Sequence, residues 1–131
     1  KGVSLYLEEV KRTLKDIGYL QTALGRKRYF ADFLQEGRGD RTERMAVNFT
    51  IQGLAADLIK KAMVNIYQKF IIDNPSNIKL LIQIHDELIF EINDELIDNI
   101  NSKIKKEMEQ VYNFDIPLKV HITKGKRWSD L

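Results

Sequence analysis

Residues 80–92 read LLIQIHDELIFEI, and this stretch decides the fold. Two runs rich in branched apolar residues flank a short polar break formed by His85, Asp86 and Glu87. Strand-type composition on both sides of so short a break predicts a tight antiparallel hairpin. Two adjacent carboxylates, Asp86 and Glu87, would then lie at its tip, and hard oxygen ligands of this kind suit a divalent cation.

Helical periodicity precedes and follows this hairpin. Apolar residues at helical spacing predict an amphipathic helix in the first part of the chain, which ends at Gly18. A second helical region is predicted over residues 41–72, with a break or bend near Gly53 because glycine weakens a helix by about 1 kcal/mol relative to alanine. A third helix is predicted over residues 96–111.

Short strands complete the predicted fold. Residues 19–22 and 27–30 have strand character and are joined around Gly25, which can adopt a positive φ in a turn. A last strand is predicted over residues 118–122. The predicted class is therefore α+β, with an antiparallel sheet packed against long α-helices. Because the first residues already have helical spacing, we interpret the chain as an incomplete domain, a piece of a longer protein.

Composition limits the class of protein. The chain has 131 residues, of which 44% are hydrophobic, so a modest globular domain with its own core is expected. The absence of cysteine excludes a disulfide framework and agrees with an intracellular protein. No apolar run approaches the roughly 20 residues of a membrane span, so no membrane partner is expected. The net charge of +2 is small, but basic residues crowd one region: Arg26, Lys27, Arg28, Arg38, Arg41 and Arg44.

Residues 43–63 read ERMAVNFTIQGLAADLIKKAM and carry polar side chains at helical spacing. Arg44, Asn48 and Gln52 are four residues apart, so a helix would place all three on one face. Asparagine and glutamine amides can reach the minor-groove acceptors that all base pairs share, and could sense the shape of a duplex without reading its sequence. An ordinary amphipathic helix with small residues is the alternative interpretation of this segment.

Residues 18–30 read GYLQTALGRKRYF and place cations on the first predicted hairpin. Arg26 and Arg28 would suit contacts with phosphate groups, which position a duplex without specifying its sequence. Lys27 carries the same charge but lacks the planar fork of a guanidinium group. A solvated basic turn is the alternative interpretation of this segment taken alone.

The three motifs, in this order and at this spacing, resemble those of family A DNA polymerases. Residues 83–88 are similar to the family pattern QVHDEL, residues 43–57 to ERxAxNxxxQGxAAD, and residues 18–29 to GYVETLxGRRRY. The resemblance extends over residues 2–128. Two departures are Lys27, where the family usually has arginine, and Phe49-Thr50, where it often has an apolar residue followed by proline.

The resemblance implies that residues 1–131 are the C-terminal part of a polymerase domain, the palm half that carries the carboxylate hairpin. Asp86 would be a catalytic ligand of two Mg²⁺ ions, and Glu87 the adjacent catalytic acid. The residues implied to bind primer–template DNA are Arg26, Arg28, Arg44, Asn48, Gln52 and His85. The other metal aspartate of the family lies in a DxSQxELR-like motif that this sequence lacks, so the isolated chain is expected to be inactive.

The expected parent enzyme is a DNA-directed DNA polymerase of replication or repair, which adds dNTPs to a primer 3′-hydroxyl group. Its expected partners are primer–template DNA, dNTP and the rest of the polymerase chain. Its expected location is a bacterial cytoplasm or nucleoid, or an organelle such as an apicoplast or mitochondrion. A non-catalytic nucleic-acid-binding module with a polymerase-like fold is the alternative. The closing residues, GKRW, are similar to the family's closing segment and predict that Trp128 packs against the domain.

Overall fold

The computed structural model describes residues 2–30 and 39–130 of the chain. The mixture of helices and antiparallel strands is as predicted, but the described strands form two separate two-stranded sheets and not the single sheet that the sequence predicts. The elements, in order, are α1 (Gly2–Ile17), β1 (Tyr19–Gln21), β2 (Lys27–Tyr29), α2 (Gly39–Ile66), a π-helical turn (Tyr67–Ile71), β3 (Ile78–Ile84), β4 (Glu87–Ile92), α3 (Ile97–Glu109) and a 3₁₀ turn (Trp128–Asp130). The chain forms two compact units, of which the first ends at Asp57 and the second begins at Leu58.

Gly18 ends α1, as predicted. It has φ of 71°, a conformation that glycine adopts without a steric cost, and its N–H donates to the Leu14 carbonyl at 3.0 Å. The chain then enters β1, which pairs antiparallel with β2. Gly25 lies in the connecting turn with φ of 92°, so the predicted hairpin and its turn residue are both confirmed.

The first unit has a core to which α1, the β1–β2 hairpin and α2 all contribute. The rings of Phe30 and Phe49 lie edge to face with centres 6.2 Å apart, which joins the end of the hairpin to α2. An exposed ion pair between Lys11 and Glu43, at 2.8 Å, joins α1 to α2. The buried members of this core are Val10, Leu14, Leu20, Phe30, Ala46 and Phe49.

Helix α2 is continuous over 28 residues, so the break predicted near Gly53 is wrong. The glycine permits a close approach of neighbouring side chains. A Cβ atom at Gly53 would lie 3.0 Å from a ring carbon of Phe49 and 3.2 Å from Cγ2 of Thr22. The cost of glycine within a helix is therefore offset by contact between α2 and the β1–β2 hairpin.

Thr50 ties α2 to α1. Its hydroxyl donates to the carbonyl of Val47 at 2.7 Å, a bond to the preceding turn that a helical threonine can make. Because that bond uses the threonine proton, Tyr6 is the donor in its hydrogen bond with the Thr50 oxygen. A threonine with a normal backbone N–H lets the helix continue where proline would disturb it.

The predicted hairpin around the acidic tip is confirmed as β3 and β4, but it contains a bulge that the sequence did not reveal. Leu80 pairs with Phe90 and Ile82 pairs with Ile89, so Leu81 is the extra residue on β3. Because side chains alternate along a strand, this insertion moves Ile82 to the face opposite that of Leu80. Regular alternation would have placed the two on one face.

The second unit has its own core, built on one face of the β3–β4 hairpin. Two isoleucines that are at most 1% exposed, Ile66 at the end of α2 and Ile78 in β3, lie at its centre. Two residues of α3, Ile100 and Ile104, are also buried in it. The hairpin residues that pack against this core are Leu80, Leu88, Phe90 and Ile92.

The strand predicted over residues 118–122 is wrong, because none of the described strands pairs with this segment. A strand needs a neighbour for its backbone groups, and here the N–H of Val120 instead donates to a carboxylate oxygen of Glu109 at 3.0 Å. The prediction that Trp128 packs is also wrong, since its side chain is 59% exposed.

Candidate nucleic-acid interface and carboxylate hairpin

The tip of the β3–β4 hairpin is a two-residue turn made of His85 and Asp86. Ile84 and Glu87 form the last pair of the ladder. His85 has φ of 51°, a positive value that fits the primed turns of tight hairpins but that costs a residue with a side chain about 1–2 kcal/mol. Backbone strain of this kind concentrates at functional sites, so its presence at the predicted catalytic turn is informative.

A side chain from within the hairpin supports the strained turn. The Gln83 amide donates to the backbone carbonyl of His85 at 2.6 Å. His85, Asp86 and Glu87 are all exposed, so their side chains are accessible to a ligand. The tip of the hairpin therefore presents the exposed side chains of His85, Asp86 and Glu87 next to one another.

The hairpin tip fits part of a Mg²⁺ site. Mg²⁺ is usually held by one or two carboxylates together with waters and substrate phosphates, and Asp86 and Glu87 supply two adjacent carboxylates. In the part of the chain that the structure describes, no three metal-ligating side chains are grouped closely enough to hold an ion. A complete two-metal site therefore needs further ligands.

Four of the six predicted DNA-binding residues line one cleft in the first unit. The cleft has a volume of about 390 Å³ and lies between the β1–β2 hairpin and α2; we call it the hairpin–helix cleft. Both arginines of the hairpin and both amides of α2 reach it. Its lining residues are Arg26, Arg28, Met45, Asn48, Phe49, Gln52, Gly53 and Ala56.

The polar face predicted for α2 is present. Because the helix is uninterrupted, Arg44, Asn48 and Gln52 follow one another at intervals of about one turn, and all three are exposed. Arg44 lies outside the hairpin–helix cleft and lines a neighbouring groove between α1 and α2, to which Asn48 also contributes. Asn48 thus links the two grooves.

Aromatic rings hold the cations of the β1–β2 hairpin in place. The guanidinium carbon of Arg28 lies 5.2 Å from the ring centre of Phe30 and 5.9 Å from that of Phe49. Lys27 lies over Tyr19, with its ammonium nitrogen 4.8 Å from the ring centre. Cation–π contacts at such distances restrict a long side chain without neutralising its charge. Arg28 is therefore a fixed, exposed cation at the cleft.

Arg26 is held differently, by the carboxylate of Asp57. Its Nε donates to Oδ1 of Asp57 at 2.6 Å, and its Nη2 pairs with the same oxygen. The hydrogen bond that Arg26 donates to Asp57, and then the negative charge of Asp57, raise the pKa of Arg26. Thr22 donates to the other oxygen of Asp57 at 3.0 Å. The sequence alone does not reveal these partners of Asp57, because no local pattern links residues 31 positions apart.

Known proteins similar to this chain agree on one family. The family model described as "DNA polymerase family A" matches residues 1–130. The thermostable DNA polymerase I of Thermus filiformis is 38% identical over 124 residues, covering 91% of this chain and 14% of that protein. The DNA polymerase I of Bacillus subtilis is 38% identical over 132 residues, covering 99% of this chain and 15% of that protein. The chain belongs to DNA polymerase family A.

A solved structure supports the same assignment for this family A chain. The match is the POL domain of Pol1 from M. smegmatis, in complex with DNA primer-template and dNTP. It has a TM-score of 0.82 and 38% sequence identity, and the match covers 90% of this chain and 21% of that one. The chain thus spans about one seventh of the length of the curated relatives described above.

Two expectations about location can be compared with these findings. Both curated relatives are bacterial proteins, so they give no support to the organelle alternative. Among the described residues, no helix combines the length and the apolar character needed to cross a membrane.

Proposed function

We propose that residues 1–131 are the C-terminal, palm-half part of a DNA-directed DNA polymerase. The parent enzyme extends a primer 3′-hydroxyl group with dNTPs by phosphoryl transfer. The observation that carries this proposal is the likeness of 90% of the chain to a polymerase domain whose structure contains DNA primer-template and dNTP. Its partners would be primer–template DNA, dNTP and the rest of the polymerase chain, in the interior of a bacterial cell.

The hairpin–helix cleft would bind the duplex near the primer terminus. Arg28 presents a guanidinium group that is held over aromatic rings and remains exposed, so it can pair with a backbone phosphate. The amides of Asn48 and Gln52 can donate to minor-groove acceptors that occur in every base pair. Arg44, one turn before Asn48, would extend the same surface. Such contacts bind the end of a duplex without selecting its sequence.

The β3–β4 hairpin would carry the chemistry. Asp86 and Glu87 would present their carboxylates from the tip of the hairpin. There the side-chain amide of Gln83 donates to the backbone carbonyl of His85. Mg²⁺ held there would supply positive charge to the reacting oxygens in the transition state. His85 would contact the primer terminus through its imidazole. The remaining acidic ligand would come from another segment of the parent chain.

A non-catalytic nucleic-acid-binding module is the second candidate. It is favoured by one observation, that the hairpin–helix cleft is lined by arginines and amides, which would also bind DNA in a protein without catalytic activity. Primer extension by the parent protein with Mg²⁺ and dNTPs separates the two functions. Template-directed extension establishes the polymerase, whereas DNA binding without extension establishes the module.

Loss of the α2 amides should weaken the hold on the primer end. We expect Gln52→Ala or Asn48→Ala in the parent polymerase to lower kcat/KM for primer extension by about tenfold, the size of one or two lost hydrogen bonds. The loss should be similar for primers that end in different base pairs. Gln68→Ala, which removes another exposed glutamine, is the matched control. A loss confined to one terminal base pair would show that these residues read sequence.

The turn at His85 allows its side chain to be tested apart from its backbone. His85→Gly removes the imidazole but accepts the positive φ, whereas His85→Ala removes the imidazole and keeps the strain. We expect both variants to extend primers about tenfold more slowly, with the glycine variant at least as stable to heat. Wild-type extension by His85→Gly would show that the imidazole does not contact the primer terminus.

A further inference from the structure

We propose that Asp57 is a positioning residue for DNA, which clamps the β1–β2 hairpin onto α2 through Arg26 and Thr22. In this arrangement the guanidinium of Arg26 binds the carboxylate of Asp57 and not a phosphate group of the DNA. The inference deepens the function proposed above and rests on it. It also changes the role that sequence analysis predicted for Arg26.

The contacts of Asp57 use both of its carboxylate oxygens. Oδ1 accepts from Nε of Arg26 and Oδ2 accepts from the hydroxyl of Thr22. The Thr22 oxygen in turn accepts from the backbone N–H of Arg26 at 3.2 Å. These bonds form a closed ring of interactions across the turn of the hairpin, so the orientation of the turn depends on Asp57.

Burial makes the carboxylate depend on its partners. The side chain of Asp57 is only 11% exposed and Thr22 is 5% exposed, whereas the side chain of Arg26 is 43% exposed. A carboxylate that is largely removed from water is costly unless it is paired and hydrogen-bonded. Removal of Arg26 would therefore take two guanidinium contacts from the nearly buried Asp57 carboxylate, and we expect the hairpin to shift as a result.

The clamp lies beside a close contact between the hairpin and α2. A Cβ atom at Gly53 would lie 3.2 Å from Cγ2 of Thr22, and Asp57 follows Gly53 by about one helical turn. Phe30 and Phe49 hold the other end of the hairpin. Because Arg28 lies between these two attachments in the chain, its distance from the amides of α2 depends on both of them.

Charge balance indicates which arginine is free for phosphate. Arg26 and Asp57 form an ion pair whose charges cancel. The contacts described for the Arg28 guanidinium are with the rings of Phe30 and Phe49, and these leave its charge in place. A residue that neutralises a phosphate contributes about one to the dependence of binding on salt. The clamp and the phosphate ligand therefore differ in a measurable quantity.

The test uses the parent polymerase with Asp57→Asn, Arg26→Gln and the double variant. The dissociation constant for primer–template DNA is measured at several salt concentrations, together with kcat and KM for dNTP. We expect each single variant to raise the Kd for DNA by about 3- to 30-fold. The Kd of the double variant should not exceed the larger of the two single-variant values. The slope of log Kd against log salt and the KM for dNTP should not change. Asp57→Glu, which keeps the charge, should recover part of the binding.

Other outcomes overturn the proposal. If Arg26 binds phosphate, Arg26→Gln lowers the salt slope by about one and Asp57→Asn strengthens binding, because the guanidinium is released. Additive losses in the double variant would show that the two residues act separately. Should Asp57→Asn fail to fold, Thr22→Val removes one arm of the clamp and is subject to the same criteria.

Two controls separate this inference from the proposed function. Asp98→Asn breaks an exposed ion pair with Lys124 in the second unit and should leave DNA binding unchanged. If the unaltered parent protein binds DNA but does not extend primers, the polymerase function fails while the binding data still test the clamp. If it extends primers and the Asp57 variants bind DNA normally, only the clamp fails.

Discussion

Asp86→Ala in the parent polymerase is expected to lower kcat for primer extension by a factor of about 10³ or more. The carboxylate is the proposed ligand for metal ions that stabilise the transition state by several kcal/mol, and each 1.36 kcal/mol is a factor of ten in rate. The Kd for primer–template DNA should rise by less than about threefold, since the DNA contacts are assigned to other residues. Single-turnover extension and equilibrium DNA binding measure the two quantities.

Neighbouring acids provide the controls for this experiment. Glu87→Ala should lower the rate by a smaller factor, because Glu87 is the secondary acid of the pair. Asp94→Ala removes an exposed carboxylate just beyond β4 and should leave the rate unchanged. Turnover close to that of the unaltered enzyme in Asp86→Ala would remove the metal site from this hairpin.

The 131-residue chain by itself is expected to give no template-directed primer extension. Its hairpin presents Asp86 and Glu87, and the described residues group no third metal ligand with them. A site for two metal ions would need more carboxylate ligands than this hairpin tip provides. The measurement is primer extension by the purified chain with Mg²⁺ and dNTPs.

A matched preparation makes this second result interpretable. Chain that carries Asp86→Ala, purified in the same way, shows the activity of any contaminating polymerase. Extension by the unaltered chain and not by this variant would contradict the prediction, because the chain would then contain a complete active site. Extension by both at one rate would identify a contaminant.

Local sequence information was sufficient for much of the fold. Strand-type residues on both sides of His85 and Asp86 predicted the β3–β4 hairpin, and Gly18 and Gly25 predicted the end of α1 and the first turn. These features depend on neighbours within a few residues, through side-chain alternation and the freedom of glycine at positive φ. The spacing of Arg44, Asn48 and Gln52 likewise placed them on one helix face.

Local information failed wherever packing between distant segments decided the outcome. The glycine in α2 predicted a break, but the helix is continuous, and the glycine leaves room for the close approach of Thr22 and Phe49. The bulge at Leu81 places Ile82 on the face opposite that of Leu80, and no glycine in this strand indicates a bulge. Residues 118–122 have strand character, yet a strand forms only where a partner strand is available.

The sequence by itself determined the family, the helices and hairpins, and the residues that carry the proposed chemistry. The helices and hairpins follow from short-range periodicity, whereas the family and the proposed site residues follow from the resemblance of residues 18–30, 43–63 and 80–92 to the family's motifs. Only the tertiary structure decided that Arg26 faces Asp57 while Arg28 stacks on Phe30 and Phe49. The physical reason is that two arginines in one basic run have the same local signal. Two of their partners, Asp57 and Phe49, belong to a helix that the fold brings beside the hairpin.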